Sequence, residues 1–331
     1  MTTTGVILGK FMPPHEGHVA LVRTASYLVD RLTIILSTSD SDAIEPAVRK
    51  KWMENLFPKA FVIVVNNGAI PLPSEDPKWG PIIRGFHPET VDRVIGSEDY
   101  IVDLAKALNA QHFILDPMWM AFPANSVEVR EDPFGHWKSI PGYVRPYFQK
   151  RLTLVGPEST GKSYMADVLA KKFGGPYVPE YGRPYEKYRA PGSYRAEELH
   201  FIVDGHVAHR KTLSEKAGPI LFEDTDPLLT AVWAEMLLGH SLPDLERRIE
   251  LPDHYLLLDA NVPWEEDPLR YYGKHELRLE FFDKIKAKLD HFGASYTLIV
   301  GDYTEREAQA IAVVESMLAK PKQYGAANAQ K

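Results

Sequence analysis

Short apolar runs alternate with amphipathic stretches along the first half of the chain. The apolar runs predict strands at 4–8, 32–36, 61–65, 91–95 and 112–115. Apolar residues at helical spacing between them predict helices, among them 19–29, 49–56 and 98–108, the last with Ser97 as its N-cap. Strands that alternate with helices predict a parallel sheet with helices on both faces.

The second half repeats this pattern. Apolar runs predict strands at 152–155, 177–178, 220–222, 255–258 and 297–300. A helix is predicted at 163–173, ended by glycines, and a solvated, charge-rich helix at 276–288. Pro141, Gly142 and Pro146 interrupt the chain just before residue 149. We therefore predict an α/β protein with two doubly wound parallel-sheet domains, at 1–148 and 149–331.

Composition narrows the class of protein. The 331 residues, 44% of them hydrophobic, are enough to bury two ordinary cores. No run approaches the roughly 18 apolar residues of a membrane span, so no membrane insertion is expected. The first strand begins near residue 4, so we expect no signal peptide and a cytoplasmic location.

Charge and cysteine content exclude further classes. The net charge of −7, without a long basic run, argues against nucleic-acid binding and leaves anionic small substrates open. The absence of cysteine excludes disulfides and thiol catalysis. The sequence leaves a homo-oligomer open.

Residues 156–163 read G-P-E-S-T-G-K-S, the pattern of a phosphate-binding loop. An apolar strand precedes it and a helix follows, so the N-terminus of that helix points at the phosphates. Lys162 is expected to bridge the β- and γ-phosphates, and Ser163 to offer its hydroxyl to Mg²⁺. The predicted ATP-binding residues are Gly156, Glu158, Ser159, Thr160, Gly161, Lys162 and Ser163.

A second glycine turn follows the first strand, where residues 9–18 read G-K-F-M-P-P-H-E-G-H. Gly9, Lys10 and Phe11 form the turn, and Gly9 permits close approach of a ligand. His15 and His18 lie three residues apart and share one face of the first helical turn. Two imidazoles beside a helix N-terminus suit a triphosphate whose charge rises during reaction, so both are candidate catalytic residues.

Several motifs together resemble one family. The motif at 9–18 resembles the nucleotidylyltransferase signature, in the Lys-Phe version of NadR-type proteins. Residues 130–148, R-E-D-P-F-G-H-W-K-S-I-P-G-Y-V-R-P-Y-F, are similar to that family's junction segment. Three later segments resemble its kinase domain: E-Y-G-R at 180–183, D-T-D at 224–226 and P-W-E-E-D-P-L-R at 263–270.

This resemblance covers about residues 4–315 and implies two linked activities. It implies that a C-terminal P-loop kinase domain uses ATP and Mg²⁺ to phosphorylate nicotinamide riboside to nicotinamide mononucleotide. It also implies that an N-terminal Rossmann-type nucleotidylyltransferase domain adenylylates the mononucleotide to NAD and releases pyrophosphate. The chain would then be a transferase of NAD salvage whose partners are small molecules. Some NadR-type proteins begin with a DNA-binding domain, for which we expect no counterpart here.

Carboxylates follow the predicted strands of the kinase half, where ligands bind in open α/β sheets. Glu180 is a candidate general base for the ribose hydroxyl, or the partner of an ion pair with Arg183. One of Asp224 and Asp226 is expected to hold Mg²⁺, directly or through water, while the other contacts the ribose or acts as base. The alternative is an acidic pair that caps a helix.

The resemblance also assigns substrate binding to Tyr181, Arg183, Trp264 and Asp267. Because a pyridinium ring is a flat cation, an aromatic face should hold it. Tyr181, Tyr185 and Trp264 are the candidates, with packing in the core as the alternative for each. Arg270 would reach the phosphates when its segment closes, and Arg278 is a weaker candidate for the same role.

The N-terminal half departs from the family pattern at its presumed triphosphate site. Arg130 is kept, but Asn125 and Val127 stand where Ser and Thr are usual. Trp119 stands where an arginine often follows Asp116. Each lost hydrogen bond to a charged group costs about 1.5–3 kcal/mol, so several losses would remove most activity.

Three hypotheses therefore remain. The first is a bifunctional enzyme that makes NAD from nicotinamide riboside. The second keeps the kinase and reduces the N-terminal domain to nucleotide sensing or assembly. The third is a P-loop ATPase whose hydrolysis serves regulation. Arg49 and Trp52 match a family R-x-x-W element of the adenylyltransferase half, with helix surface and core as their respective alternatives.

Overall fold

The computed structural model describes residues 2–66, 79–87, 90–116, 120–121, 123–262 and 274–319. The chain divides into two compact units, the first extending to Arg145 and the second beginning at Pro146. The boundary that we place after residue 148 lies at the end of the same short helix, Arg145–Phe148, and stays a prediction.

The first unit contains one parallel sheet. Its strands are β1 (Thr4–Gly9), β2 (Arg31–Thr38), β3 (Phe61–Asn66), β4 (Arg93–Gly96) and β5 (Gln111–Ile114). Its helices are α1 (Glu16–Leu28), α2 (Pro46–Leu56), α3 (Trp79–Phe86), α4 (Tyr100–Leu108) and α5 (Ser126–Glu131), followed by a 3₁₀ turn at Trp137–Ser139. The strand order β3-β2-β1-β4-β5 reverses between β1 and β4, which opens a crevice at their carboxyl ends.

Alternate residues of β1 point to opposite faces of this sheet. Ile7 lies in one core with Val22 of α1 and Met53 of α2. Val6 lies in the other core with Ile83 of α3. Helices therefore cover both faces, as the alternating pattern predicts.

The second unit also contains one parallel sheet. Its strands are β6 (Lys150–Val155), β7 (Ile220–Asp224), β8 (His254–Leu258) and β9 (Tyr296–Ile299). Its helices, after α6 (Arg145–Phe148) at the division, are α7 (Lys162–Phe173), α8 (Gly182–Tyr188), α9 (Ala196–Ser214), α10 (Pro227–Leu238), α11 (Pro243–Glu246), α12 (His275–His291) and α13 (Tyr303–Leu318). The strand order β7-β6-β8-β9 places its reversal between β6 and β8.

The core of the second unit also lies on both faces of its sheet. Leu154 of β6 packs in a core with Leu169 of α7 and Val314 of α13. Its neighbour Val155 belongs to the opposite core, with Leu229 of α10 and Ile285 of α12. Among the helices described, none combines the length and apolarity that crossing a bilayer would demand.

Three local predictions are wrong. Helix α4 begins at Tyr100 with Asp99 as its N-cap residue, so Ser97 does not cap it. The strand expected at 177–178 is a single bridge from Val178 to Glu223, because prolines on both sides of the dipeptide cannot donate to a ladder. In α12, the side chain of Arg278 is buried rather than solvated.

Candidate active site

The phosphate-loop motif forms the turn between β6 and α7. Ser159 and Gly161 both have left-handed backbone angles, with φ of 60° and 86°. Turns of this type direct successive N–H groups into one concavity that binds anions. Gly156 has a φ of 154°, and a Cβ there would lie 2.8 Å from the carbonyl oxygen of Leu258 in β8. The glycine therefore lets the loop pass close to the neighbouring strand.

Lys162 lies at the start of α7, inside this loop. Its Nζ donates to the carbonyl oxygens of Gly156 and Pro157, at 3.0 and 2.8 Å. Burial lowers the pKa of its ammonium, while the nearby carboxylates of Glu180 and Asp224 oppose that shift. The ammonium is thus held within the loop, where a triphosphate would meet it.

Ser163 and Asp224 meet at the carboxyl ends of β6 and β7. The hydroxyl of Ser163 donates to Oδ2 of Asp224 at 2.5 Å. The other oxygen, Oδ1, is buried and has no hydrogen-bond partner among the described residues. Burial, aided by the charge of Glu180, raises the pKa of Asp224 to about 6. A hydroxyl beside a carboxylate oxygen is a donor set that fits Mg²⁺.

Glu180 lies after the Val178 bridge and faces the same cleft. Its Oε2 accepts a hydrogen bond from Nε of Arg183 at 3.2 Å, so the ion pair considered as an alternative is present. Arg183 is 45% exposed, and exposed pairs of this kind contribute little stability. The ion pair therefore does not prevent Glu180 from serving as a base.

Asp226 is wrongly placed among the catalytic candidates. Its Oδ1 accepts from the backbone N–H of Leu229 and caps α10, at 3.0 Å. Its Oδ2 accepts from the hydroxyl of Tyr255 at 2.6 Å. The carboxylate is 1% exposed and belongs to neither cavity described below. Of the two aspartates, only Asp224 faces the cleft.

Two cavities meet at the phosphate loop and share Lys162, Glu180 and Arg183. The wider one, about 820 Å³, is lined by the loop from Ser159 onwards and by Asp224. The narrower one, about 90 Å³, extends from Glu158 between α9 and α10. This arrangement suits a triphosphate on one side and a small molecule on the other.

The narrow cavity has apolar and aromatic walls that sequence reasoning did not identify. They are formed by Tyr194, Leu199, Ile202, Leu229, Trp233 and Leu237. Glu186 also lines the cavity, and its carboxylate accepts a hydrogen bond from the hydroxyl of Tyr194. Acidic and aromatic groups thus surround the same space.

Several predicted substrate contacts are not part of these walls. Tyr181 packs instead against α9, where a Cβ at Gly205 would lie 2.2 Å from its ring. Tyr185 donates its hydroxyl to Glu198 at 3.1 Å and likewise lines neither cavity. The three remaining candidates lie outside the described residues: Trp264, Asp267 and Arg270.

The weaker phosphate candidate in α12 also points elsewhere. Nη1 of Arg278 donates to the carbonyl oxygen of Val262 at 3.1 Å, and the side chain is 3% exposed. Arg278 lines neither of the two cavities, so a role at the phosphates stays a prediction.

The first unit has a separate cavity of about 330 Å³ at the carboxyl ends of β1 and β4. The predicted residues that line it are Gly9, Lys10, Phe11, His18 and Arg130. Ser97, Glu98 and Tyr100 line the opposite side and were not predicted. Burial raises the pKa of Glu98. The strand-order reversal could have indicated this second side, because ligands bind where it occurs.

His15 and His18 stack at the start of α1, with ring centroids 3.7 Å apart. The backbone N–H of His15 donates to Nδ1 of His18 at 3.3 Å. His15 is 2% exposed and lies outside the cavity lining, whereas His18 is on the wall. Burial lowers the pKa of His15 to about 4, and burial plus the adjacent His15 lowers that of His18. Both rings are therefore neutral at pH 7 in the free protein.

Of the departures from the family pattern, Val127 lies at this cavity. Asn125 caps α5 by accepting from the N–H of Val127 at 2.8 Å. Val127 lines the cavity and presents an apolar side chain there. The hydroxyl of Ser126 donates to the carbonyl oxygen of Pro13 at 2.9 Å. Trp119 lies outside the described residues.

Arg130 and Arg49 both donate hydrogen bonds to backbone carbonyl groups of the glycine turn. Arg130 donates to the carbonyl oxygens of Met12 and Ser126. Arg49 is fully buried, pairs with Asp42 at 2.6 Å, and donates to the carbonyl oxygen of Lys10 at 2.9 Å. Arg49 is therefore not a surface residue of α2, and Trp52 is buried as expected of a core residue.

Comparisons with known proteins give a consistent result. A family model described as an AAA domain matches residues 151–306. The chain is 28% identical to the trifunctional NAD biosynthesis/regulator protein NadR of Escherichia coli (strain K12), over 96% of this chain and 83% of the relative. It is 27% identical to the NadR protein of Salmonella typhimurium, over 95% and 83%.

Two solved structures match nearly the whole chain. A NadR protein in complex with NR matches with a TM-score of 0.74 and 21% identity, over 100% of this chain and 98% of the other. A NadR protein in complex with NAD and AMP-PNP matches with a TM-score of 0.72 and 21% identity, over 99% of each chain. The predicted resemblance to NadR-type proteins and the predicted fold class are confirmed.

Proposed function

We propose that this chain, a homologue of NadR proteins along nearly its whole length, phosphorylates nicotinamide riboside with ATP in its second unit. One observation carries the proposal. The phosphate loop and a narrow cavity with apolar, aromatic and charged walls meet at Lys162, Glu180 and Arg183, as a phosphate donor and a small acceptor require. Solved NadR structures of the same fold hold NR in one case and NAD with AMP-PNP in another, which supports the two substrates proposed.

The reaction depends mainly on position and charge, since phosphoryl transfer asks little covalent chemistry of a protein. The loop amides and Lys162 stabilise the charge on the transferred phosphoryl group. Ser163 and Asp224 would hold Mg²⁺, which supplies neutralising charge to the phosphates when bound. Glu180, where the cavities meet, would accept the proton of the attacking ribose hydroxyl.

The narrow cavity is suited to a cationic ring. Three carboxylates, those of Glu158, Glu180 and Glu186, line it. They outnumber the two cations of the lining, Lys162 and Arg183, and an excess of negative charge favours a cationic ligand.

Tyr194 and Trp233 belong to the lining of the narrow cavity, and a flat cation is attracted to an aromatic face by about 0.5–2 kcal/mol. The guanidinium of Arg189 already lies over one face of the Tyr194 ring, 4.1 Å from its centroid. The pyridinium of nicotinamide riboside combines both properties. We therefore assign Tyr194 and Trp233 the ring contact that Tyr181 does not make.

The first unit is proposed to adenylylate the mononucleotide, which makes the chain a bifunctional enzyme of NAD salvage. His18, Lys10 and Arg130 line a cavity in the position where such a site belongs. Val127 favours the alternative, a monofunctional kinase whose first unit senses nucleotides, because an apolar side chain replaces a phosphate-binding hydroxyl. The cytoplasmic location and the restriction to small-molecule partners belong to the same proposal.

A product time course tests both activities together. Purified protein would be incubated with nicotinamide riboside, ATP and Mg²⁺, and the products separated by chromatography. We expect mononucleotide first and NAD afterwards. His18→Ala should abolish NAD but leave mononucleotide formation, whereas Lys162→Ala should do the reverse when mononucleotide is supplied. Mononucleotide without NAD would support the monofunctional kinase, and ATP hydrolysis unaffected by the riboside would support a regulatory ATPase.

A further inference from the structure

We propose that Arg306, in the first turns of α13, is a positioning residue that fixes the phosphate loop for ATP through the carbonyl group of Thr160. Its Nη1 donates to the carbonyl oxygen of Thr160 at 3.2 Å, across 146 residues of sequence. This inference rests on the proposed ATP site in the second unit and assigns a role to a residue outside the phosphate-loop motif.

Arg306 joins three segments that meet behind the phosphate loop. Besides Thr160, its Nε donates to the carbonyl oxygen of Gly301 at 2.8 Å and its Nη2 to that of Asp259 at 3.2 Å. Asp259 follows β8 and Gly301 follows β9, so all three carbonyls lie at the carboxyl ends of strands or in the loop. Tyr303, one turn before Arg306, lines the wide cavity itself.

The guanidinium of Arg306 is buried, although it carries a charge. Arg306 is 3% exposed, and burial lowers its pKa even though Asp259 lies nearby. Burying a charge is costly unless it is well hydrogen-bonded. Within the described part of the chain its hydrogen bonds go to carbonyl groups and not to a carboxylate, so its positive charge polarises those carbonyls.

The peptide link explains how the charge reaches the ligand. The carbonyl of Thr160 and the N–H of Gly161 belong to one planar trans unit and point in opposite directions. A cation at the carbonyl side polarises the unit and strengthens the N–H as a donor, since hydrogen bonds in a chain reinforce one another. Gly161 lines the wide cavity, so the strengthened donor belongs to the concavity that receives phosphates.

Nucleotide affinity measured without the riboside tests this role apart from the kinase reaction. AMP-PNP with Mg²⁺ would be titrated calorimetrically into the wild type, Arg306→Gln and Arg306→Lys. We expect about tenfold or greater weakening in Arg306→Gln, consistent with loss of a charged hydrogen bond, and an intermediate value in Arg306→Lys, which keeps the charge but not the fork. The KM for ATP should rise in the same order, with the KM for the riboside unchanged.

Lys150→Met is the matched control. Lys150 is also a buried cation, and its Nζ donates to the carbonyl oxygen of Met317 in α13 at 2.8 Å, at the far end of the helix from Arg306. Its loss should lower the melting temperature without a selective loss of AMP-PNP affinity.

Wild-type affinity in both Arg306 variants would overturn the proposal. An equal loss of nucleotide and riboside affinity, tracking thermal stability as in the control, would overturn it too. If the wild type binds AMP-PNP but phosphorylates no riboside, the proposed kinase function is wrong, while the proposed role of Arg306 in nucleotide binding still stands.

Discussion

The hydroxyl of Ser163 and Oδ2 of Asp224 lie 2.5 Å apart, which joins the first turn of α7 to the carboxyl end of β7. Asp224 is buried, yet its second oxygen has no hydrogen-bond partner in the described part of the chain. A carboxylate in this state is destabilised in the free protein and is stabilised by a cation. The pair therefore links stability, pH and metal binding in one site.

Asp224→Asn should make the metal-free protein more stable at pH 8. The rise in the pKa of Asp224 from 3.8 to about 6 corresponds to about 3 kcal/mol that the ionised carboxylate costs the folded state. Because the folded state holds this proton more tightly, the cost appears as pH rises from about 4 to 6 and persists above. Thermal unfolding from pH 4 to 8 would show a difference between wild type and variant that grows across this window.

Magnesium provides the control for this variant. AMP-PNP with Mg²⁺ should raise the melting temperature of the wild type much more than that of Asp224→Asn, and the variant should lose kinase activity. Equal stabilisation of the two proteins by the complex would contradict the assignment of Asp224 to the metal. If Asp224→Asn were no more stable than the wild type at pH 8, the claim that burial destabilises the ionised carboxylate of Asp224 would be contradicted.

Trp233→Ala should weaken nicotinamide riboside selectively. Removing a large aromatic wall loses about 1.5–3 kcal/mol of apolar contact, so the KM for the riboside should rise by about tenfold or more. The KM for ATP should change little, because Trp233 lines only the narrow cavity. Tyr185→Phe is the control, since Tyr185 lines neither cavity. Similar effects on both KM values in Trp233→Ala would show that the substitution disturbs the fold instead.

Val127→Thr should improve the formation of NAD from mononucleotide and ATP. It adds a hydroxyl on the wall of the first unit's cavity, and a hydrogen bond to a phosphate is worth about 1.5–3 kcal/mol, or about tenfold in kcat/KM. Val127→Thr exchanges one methyl group for the hydroxyl, whereas Val127→Ala removes both methyl groups and adds no hydroxyl, so the alanine should not give this gain. A rate unchanged by the threonine would indicate that the missing hydroxyl does not limit this site.

His15→Gln should reduce the change in the free energy of unfolding with pH between about pH 4 and 6.5. The pKa of His15 falls from 6.5 to about 4 in the folded state, so the unfolded state binds more protons between these values. Wild-type stability should therefore rise with pH across this window, by up to about 3 kcal/mol relative to the variant. Comparison with the variant separates this effect from Glu98, whose raised pKa acts in the opposite direction. Parallel pH profiles for the two proteins would refute the burial of the imidazole.

The periodicity of apolar residues was sufficient to predict the fold class, because strands and helices place apolar residues at different spacings along the sequence. It was also sufficient for the phosphate loop, where the chemistry is contained in consecutive residues. The walls of the narrow cavity could not be predicted in this way. Trp233 comes from α10, in which most residues between Pro227 and Ala234 are buried, so its pattern cannot distinguish a cavity wall from core.

Proximity to a motif was a poor guide for individual side chains. Tyr181 follows Glu180 in the chain, but its ring packs on α9, where Gly205 has no side chain and leaves room for it. Asp226 is two residues from Asp224, but the φ of 72° at Thr225 turns the chain between them, and Asp226 caps α10. Such reversals depend on backbone angles and distant neighbours, which short sequence patterns do not contain.

The most direct test of the central claim follows the γ-phosphate of ATP. Protein would be incubated with γ-labelled ATP, Mg²⁺ and nicotinamide riboside, and the label measured in the mononucleotide product. We predict stoichiometric transfer of label to the riboside, reduced about 10²–10³-fold in Lys162→Ala while that variant stays folded. Label released only as inorganic phosphate, or transfer undiminished in Lys162→Ala, would contradict the account.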